Sequence, residues 1–294
     1  MYSGSIVAIV TPMAESGEID YPAWEALLDW HLAEGTDGVV VAGTTGEAPT
    51  VGVDEVVELT RRAAARLAGR IPVIAGSGTH DTARSIARTR RFAEAGADAV
   101  LAVTPYYSKP TQDGLFRHFT ALAEESSVPV ILYNVPSRTG VDLLPETAAR
   151  LAPHPRIVAL KEATGSMERL RALQDRCGED LVLLSGDDPT AAEAMLAGAR
   201  GVISVTANVA PRAMHELCEA ALANDAGRVR ELDGRLQVLH RALFVESNPI
   251  PVKWAVEQLG RVPGGIRLPL TRLSADAQIT VRQAMRAAGV ECVH

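Results

Sequence analysis

The chain repeats one unit eight times before residue 210: a short apolar, β-branched run followed by an amphipathic segment with helical spacing. Continuous apolar runs are typical of parallel strands that are covered on both faces. The runs are SIVAIVTP, GVVVAGTT, IPVIAGSG, AVLAVTPYY, VPVILYNVP, RIVALKEAT, LVLLSGDD and GVISVTAN. Eight such units predict an α/β protein, a (β/α)8 TIM barrel. A doubly wound open sheet is the structural alternative, but it usually has fewer strands and would leave the eighth unit unexplained.

The pattern changes after the eighth run, where helical segments follow one another without strands between them. These segments are ALANDAGRVRELDGRLQVLHRALF, PIPVKWAVEQLG and DAQITVRQAMRAAG. The two prolines of ESNPIP, residues 246–251, predict a rigid break between two of the helices. We therefore expect a catalytic barrel over residues 1–224 and a C-terminal helical extension over residues 225–294.

Composition excludes several classes of protein. The net charge of −7 argues against nucleic acid as a partner. No apolar stretch is long enough to cross a bilayer, which argues against a membrane partner. The N-terminal residues lack a basic region and a signal-like apolar block. The three cysteines are far apart and odd in number, so they suit neither a disulfide framework nor a zinc site. The sequence therefore predicts a cytoplasmic protein.

A lysine ends the sixth apolar run, in RIVALKEATG, where the chain contains only three lysines against 26 arginines. The alternation along the run places Lys161 on one face with Ile157 and Ala159, at the end of the strand where barrel enzymes hold their active sites. A lysine at this position can form a Schiff base with a carbonyl substrate. The alternative is a lysine that extends its ammonium into water. Glu162 is expected to point to the opposite face and not to serve as the base.

The run before it ends in YNVPSRTG, which supplies a tyrosine and an arginine. Tyr133 could transfer protons to and from a bound intermediate, although a core tyrosine with a satisfied hydroxyl is an equal alternative. Arg138 lies in a turn bounded by Pro136 and Gly140, where a guanidinium could bind a carboxylate through two hydrogen bonds. An ordinary surface arginine is the simpler interpretation of Arg138.

Two other strand ends also carry polar groups. Thr44 and Thr45 lie in the glycine-flanked loop AGTTGE, whose backbone amides could face an anion. Turn chemistry without a ligand is the alternative. Asp187 and Asp188 precede Pro189, and an aspartate before a helix that starts with proline predicts an N-cap and not a metal ligand. The scattered histidines give no ligand cluster, so we expect no metal.

Seven motifs together resemble the dihydrodipicolinate synthase family of pyruvate-dependent, class I aldolase-like barrels. The motifs are GTTGE, TPYY, YNVPSRTG, KEATG, LLSGDD, GVISVTAN and NPIPVKWA, and the resemblance extends from residue 1 to about residue 285. It implies condensation of pyruvate with L-aspartate 4-semialdehyde to give 4-hydroxy-tetrahydrodipicolinate, in lysine and diaminopimelate biosynthesis. It implies no metal or organic cofactor.

The resemblance also implies roles for individual catalytic residues. Lys161 would form the Schiff base with pyruvate. Tyr133 would donate and accept protons, relayed through Thr44 and Tyr107. Tyr107 would reach the site of a neighbouring subunit, which implies a homo-oligomer, most often a dimer of dimers.

Four further positions are implied to bind the substrates. Thr45 would bind the pyruvate carboxylate, and the backbone of Gly186 and Ile203 would line the same pocket. Arg138 would bind the carboxylate of the semialdehyde.

Two other functions remain open from the sequence. One is an N-acetylneuraminate lyase or a keto-sugar-acid aldolase of the same family, which shares the lysine and the tyrosine. That lyase typically has Ser-Thr in place of Thr44-Thr45 and lacks an arginine matching Arg138, so both features favour the synthase. The other is a catalytically silent barrel, although such a chain would not need to keep Lys161, Tyr133, Thr44 and Arg138 together.

One departure from the family concerns feedback by lysine. Members that lysine inhibits carry polar or acidic residues at an effector site between subunits. In this chain the matching positions lack those groups, although Tyr106 is retained, so we expect weak or absent inhibition. The substituted positions are Ala48, Val53, Val56, His80 and Arg84.

Overall fold

The computed structural model describes residues 2–293 and contains a closed barrel of eight parallel strands in chain order. The last strand pairs with the first, so no strand edge is left open. The strands are β1 Gly4–Ala8, β2 Gly38–Val41, β3 Val73–Gly76, β4 Ala99–Val103, β5 Val130–Asn134, β6 Ile157–Glu162, β7 Val182–Ser185 and β8 Gly201–Ser204. The predicted (β/α)8 barrel is confirmed.

Within residues 2–293, twelve α-helices surround or follow the barrel. Eight of them cover the strands: α1 Tyr21–Ala33, α2 Val53–Leu67, α3 Thr82–Glu94, α4 Gln112–Glu124, α6 Pro145–Leu151, α7 Met167–Cys177, α8 Asp188–Leu196 and α9 Pro211–Leu222. The short α5 Pro136–Thr139 lies between β5 and α6. Several helices begin at a side chain that accepts a backbone N–H three residues on, which is the usual N-cap arrangement. These caps are Asp20, Asp81, Thr111, Ser166 and Asp225.

Three helices follow the barrel without further strands: α10 Ala226–Ala242, α11 Ile250–Gln258 and α12 Ala275–Ala287. The expected break at residues 246–251 falls between α10 and α11. The segment at 221–244 is not one helix, because α9 ends at Leu222 and the side chain of Asp225 caps α10. None of the helices within residues 2–293 has the length and apolar character that a membrane span needs.

The barrel wall separates two apolar clusters. The outer cluster lies between strands and helices, and the inner one fills the barrel with side chains such as Ile6, Val40, Ile131 and Ala159. Alternate residues of each strand supply the two clusters, which explains why the strands read as continuous apolar runs.

The expected alternation fails at the start of β6. Val130 pairs with Ile157, but the next residue of β5, Ile131, pairs with Ala159, so β6 contains one extra residue. Ile157 therefore packs in the outer cluster, although Ala159 lies in the inner one. The prediction that Ile157, Ala159 and Lys161 share a face is wrong at Ile157, because a bulge shifts the alternation by one residue.

Candidate active site

A cavity of about 240 Å³ lies at the C-terminal ends of the barrel strands. This is the end at which barrels of this fold hold their active sites. Most of the residues singled out from the sequence line it. They are Thr44, Thr45, Tyr133, Arg138, Lys161 and Gly186.

Lys161 lies in the wall of this cavity and not in open water. Its side chain is only 7% exposed, and its strand register places it directly beside Tyr133. Lys161 Nζ lies 4.3 Å from the centre of the Tyr133 ring. The alternative of a solvent-extended lysine does not fit this burial.

Burial lowers the pKa of Lys161 to about 8. The carboxylate of Asp188 opposes this shift, and the guanidinium of Arg138 adds to it. At pH 7 about one amine in ten is then neutral, compared with about one in 2500 for an ordinary lysine. A neutral amine is the form that attacks a carbonyl carbon, so the site supplies the nucleophile that a Schiff base needs.

Tyr133 is also buried, with 7% of its surface exposed. Burial raises the pKa of its hydroxyl, and a side-chain hydrogen bond with Thr44 and the charge of Arg138 partly offset this rise. The hydroxyl therefore stays protonated at neutral pH and can give a proton to a developing oxyanion or take one back.

Gly186 lies against Lys161 in a place where no side chain fits without displacing a neighbouring atom. A Cβ atom at this position would lie 2.9 Å from Lys161 Cε and 2.7 Å from Ala163 Cβ. The absence of a side chain therefore leaves room for the conformation that Lys161 adopts.

We expect Gly186→Ala to lower the free energy of unfolding by about 1–3 kcal/mol and to slow adduct formation, because the new methyl group displaces the lysine. Chemical denaturation and the rate of imine formation with a keto acid measure the two effects. Gly234→Ala is the matched control, since nothing lies within 4 Å of that Cβ on the exposed side of α10. The control should be neutral or stabilising by up to about 1 kcal/mol. Equal behaviour of the two variants would contradict the steric account.

Thr45 and Arg138 form the polar end of the cavity together with Asn248. Asn248 Nδ2 donates to Thr45 Oγ1 at 3.1 Å, and Arg138 Nη2 donates to the Asn248 carbonyl at 3.4 Å. Thr45 is 2% exposed, whereas Arg138 lies exposed at the rim. A hydroxyl and a guanidinium at one end of a cavity suit carboxylate ligands.

Two of the expected residues do not line this cavity. Tyr107 is 91% exposed and lies in the loop after β4, with a φ of +73°. Ile203 is 1% exposed and its side chain packs in the inner cluster of the barrel. Neither side chain contributes to the cavity of its own subunit.

The prediction for the two aspartates before Pro189 is wrong in its details. The helix begins at Asp188, and Asp187 is its N-cap residue without a capping side-chain bond to the helix backbone. Asp187 accepts a hydrogen bond from Thr190 Oγ1 at 2.7 Å and lines the cavity. Asp188 is buried, and its Oδ2 accepts from the backbone of Val205 and Thr206 at 2.8 and 2.9 Å. These two hydrogen bonds connect the start of α8 to the backbone that follows β8.

Glu162 lies behind the catalytic strand, outside the cavity, as expected. Asn134 Nδ2 donates to its Oε2 at 3.0 Å and the Thr164 backbone donates to its Oε1 at 2.8 Å. Burial raises the pKa of Glu162, and the Asn134 hydrogen bond opposes that rise.

Among residues 2–293, no group of three or more His, Cys, Asp or Glu side chains is arranged to hold a metal ion.

Sequence reasoning missed several residues that line the cavity, among them Phe244 and Asn248, and it considered Asp187 only as a helix cap. Phe244 and Asn248 belong to the segment between α10 and α11, far from the barrel loops in the chain. The NPIPVKWA motif was the only signal that could have pointed to Asn248.

Comparison with known proteins identifies a single family. The family model described as the dihydrodipicolinate synthetase family matches residues 1–288. A 4-hydroxy-tetrahydrodipicolinate synthase from Azoarcus sp. (strain BH72) is 57% identical over 291 residues, covering 99% of this chain and 100% of the relative.

Solved structures agree with this result. The chain is similar to the chloride-inhibited dihydrodipicolinate synthase of Acinetobacter baumannii complexed with pyruvate, with a TM-score of 0.98 and 48% identity over 99% of this chain and 100% of the other. It is also similar to a monomeric dihydrodipicolinate synthase variant, with a TM-score of 0.96 and 39% identity over 99% and 98% of the two chains.

Proposed function

The chain belongs to the dihydrodipicolinate synthetase family, and from that premise we propose that it condenses pyruvate with L-aspartate 4-semialdehyde to give 4-hydroxy-tetrahydrodipicolinate. One observation carries the proposal: a buried lysine with a lowered pKa faces a buried tyrosine in the cavity at the barrel mouth. The relative complexed with pyruvate supports pyruvate as the first substrate. The reaction belongs to lysine and diaminopimelate biosynthesis.

The first half of the proposed reaction joins pyruvate to the enzyme. The neutral amine of Lys161 attacks the C2 carbonyl carbon of pyruvate, and the carbinolamine loses water to give an iminium ion. Tyr133 supplies the proton that the departing hydroxyl takes, and Thr44 orients the phenol. The Thr45 hydroxyl and the backbone near Gly186 and Ile203 hold the pyruvate carboxylate.

The second half forms the carbon–carbon bond and the ring. The Tyr133 phenolate takes a proton from the pyruvate methyl, and the iminium ion accepts the electron pair left behind, which gives an enamine. The enamine carbon attacks the aldehyde carbon of the semialdehyde, and the new alkoxide takes the proton back from Tyr133 to become the 4-hydroxyl. The amine of the semialdehyde then adds to the iminium carbon and expels the Lys161 amine. Arg138 holds the carboxylate of this second substrate at the rim.

Two coupled assays test this function. Pyruvate with L-aspartate 4-semialdehyde should be turned over, whereas N-acetylneuraminate and related sugar acids should not be cleaved. Cleavage of a sugar acid without condensation of the semialdehyde would contradict the proposal. Thr44, Thr45 and Arg138 in the cavity support the synthase.

The pH dependence of imine formation should follow the lowered pKa of Lys161, about 8. With pyruvate well below saturation, we expect the rate to rise about tenfold per pH unit below pH 8 and to level off above it, because only the neutral amine reacts. Stopped-flow mixing with pyruvate measures the rate. Asp188→Asn should move the midpoint to lower pH, since the Asp188 carboxylate holds the pKa up. A midpoint near 10.5 would refute the account.

We also propose a homo-oligomer in which Tyr107 completes a neighbour's site, in a dimer of dimers. Tyr107 is 91% exposed and does not line the cavity of its own chain, and both observations support this arrangement. Sedimentation should detect a species larger than one chain, and Tyr107→Phe should slow turnover. A fully active monomer would contradict the assembly.

Feedback by lysine is proposed to be weak or absent. Val53 and Val56 offer no polar group to a zwitterion, and the exposed guanidinium of Arg84 repels an ammonium. Half-inhibition should therefore need far more than millimolar lysine in a steady-state assay. Half-inhibition below 1 mM would show that the effector site still works.

A cytoplasmic location is part of the proposal. Cys177, Cys218 and Cys292 are all free thiols, which suits a reducing compartment. Cell fractionation tests it, and recovery in an exported fraction would contradict it.

A further inference from the structure

A buried ion pair lies beside the cavity without lining it. Glu47 is 0% exposed and Lys253 is 3% exposed. Glu47 Oε1 contacts Lys253 Nζ, and Glu47 Oε2 accepts a hydrogen bond from the Arg267 backbone at 3.2 Å. Burying two charges is costly unless each finds a partner of good geometry. The proposed reaction gives neither residue a role, so the pair needs another explanation.

The backbone at Glu47 favours a different residue. Its φ is +61°, in the left-handed region that residues with a side chain rarely adopt and that glycine adopts freely. The conformational cost of a glutamate at this position is therefore offset by the contacts that its carboxylate makes. The loop of residues 42–51 is held further by Thr11 Oγ1, which donates to the Gly46 carbonyl at 2.8 Å.

The choice of lysine on the other side is also unusual for this chain. Only three of its 29 lysine and arginine residues are lysine. Lys161 is one of these and Lys109 is exposed, so Lys253 is the second buried lysine among the described residues. Lysine and arginine are not interchangeable in a buried ion pair, because an ammonium is a compact point charge whereas a guanidinium is a planar group with five donors.

The ion pair lies next to the hydrogen bond that closes the carboxylate end of the cavity. Glu47 follows Thr45 by two residues, and Lys253 lies on the first turns of α11, five residues after Asn248. The same two segments meet again where Asn248 Nδ2 donates to Thr45 Oγ1 at 3.1 Å. Two contacts between segments about 200 residues apart fix both the position and the rotation of one segment on the other.

We propose that the Glu47–Lys253 ion pair positions the carboxylate end of the active site, by fixing the loop that carries Thr45 against the segment that carries Asn248. The inference rests on the proposed function, in which Thr45 binds the pyruvate carboxylate. An apolar pair of equal volume would allow these two segments to shift slightly, because apolar contacts have no preferred direction. A buried ion pair is satisfied in one alignment, so it holds Thr45 at one distance from Lys161. Glu47 and Lys253 are positioning residues and touch no substrate.

The test measures pyruvate binding without turnover. Borohydride traps the imine, intact mass gives the adduct yield, and the pyruvate concentration for half-maximal trapping is compared between variants. We expect Glu47→Gln and Lys253→Met each to raise this concentration about tenfold, since small displacements of a binding group weaken it strongly. Each single variant should also lower the Tm, because one charge stays buried without its partner.

The double variant Glu47→Gln/Lys253→Met separates positioning from folding. It removes both charges, so we expect the Tm to return most of the way to that of the parent. The pyruvate concentration for half-maximal trapping should nevertheless stay about fivefold or more above the parent value. Glu257→Gln is the matched control, because Glu257 also lies on α11 and pairs with Arg272 at 2.7 Å near the surface. Glu257→Gln should change the pyruvate concentration for half-maximal trapping by less than about twofold.

Two results would overturn the inference. One is a double variant whose pyruvate requirement recovers together with its Tm, which would make the pair an ordinary part of packing. The other is a folded single variant that binds pyruvate as the parent does. A parent protein that forms no adduct on Lys161 at all would instead refute the proposed function, and the inference with it.

Discussion

Replacing Lys161 with alanine is expected to lower kcat/KM for the condensation by a factor of about 10⁴ or more, because no other group can form the covalent intermediate. Lys161 is the amine that lines the cavity, and burial lowers its pKa to about 8. Tyr133 and Thr44 act on an intermediate that the variant cannot form, so they cannot replace the amine. Steady-state kinetics with pyruvate and the semialdehyde measure the loss.

Two controls make this result interpretable. Circular dichroism should give a folded spectrum for Lys161→Ala, since the Asp188 carboxylate, which raises the pKa of Lys161, keeps its two hydrogen bonds from the backbone after β8. Lys109→Ala removes an exposed lysine from the chain and should still form the pyruvyl adduct. Condensation by a folded Lys161→Ala variant above about 1% of the parent rate would contradict a Schiff-base mechanism.

Replacing Arg138 with alanine is expected to separate the two halves of the reaction. The kcat/KM for the semialdehyde should fall by a factor of about 10²–10³, because a charge-assisted contact with its carboxylate is lost. The pyruvyl adduct on Lys161 should still form, since the proposed mechanism assigns the pyruvate carboxylate to Thr45 and the backbone. The loss of a neighbouring cation should also raise the pKa of Lys161 slightly.

The control for Arg138 is another exposed arginine that does not line the cavity. Arg117 on α4 has an 80% exposed side chain and pairs with Asp113, so Arg117→Ala should leave both substrate dependences unchanged. Arg138→Lys should restore little of the kcat/KM for the semialdehyde, because an ammonium cannot make the two parallel hydrogen bonds of a guanidinium. Loss of the pyruvyl adduct in Arg138→Ala would assign this arginine to pyruvate instead.

The sequence was sufficient for the barrel because its signal is local and repeated eight times. Each strand is a run that is apolar on both faces, and several helices carry their own cap, as Asp81 and Thr111 illustrate. The bulge in β6 was not predicted, because it depends on pairing with β5 and nothing in the run RIVALKEAT indicates an extra residue. Lys161 was still found, since it lies beyond the bulge.

The missing parts of the site have a common physical origin. Asn248, Phe244 and Lys253 come from the helical extension and reach the barrel mouth only through tertiary packing. Asp188 satisfied a local rule for helix caps, yet its carboxylate binds the backbone after β8. Local rules describe what a residue can do within its own element, whereas these residues connect separate elements. Tyr107 lies outside the cavity, and its proposed role depends on a contact between subunits that a single chain does not contain.

Borohydride reduction in the presence of pyruvate, followed by peptide mass mapping, tests the central claim most directly. We expect a reduced pyruvyl group on the peptide that contains Lys161 and on no peptide that contains Lys109 or Lys253. A folded protein that gains no mass, or that carries the group on a different lysine, would contradict the account.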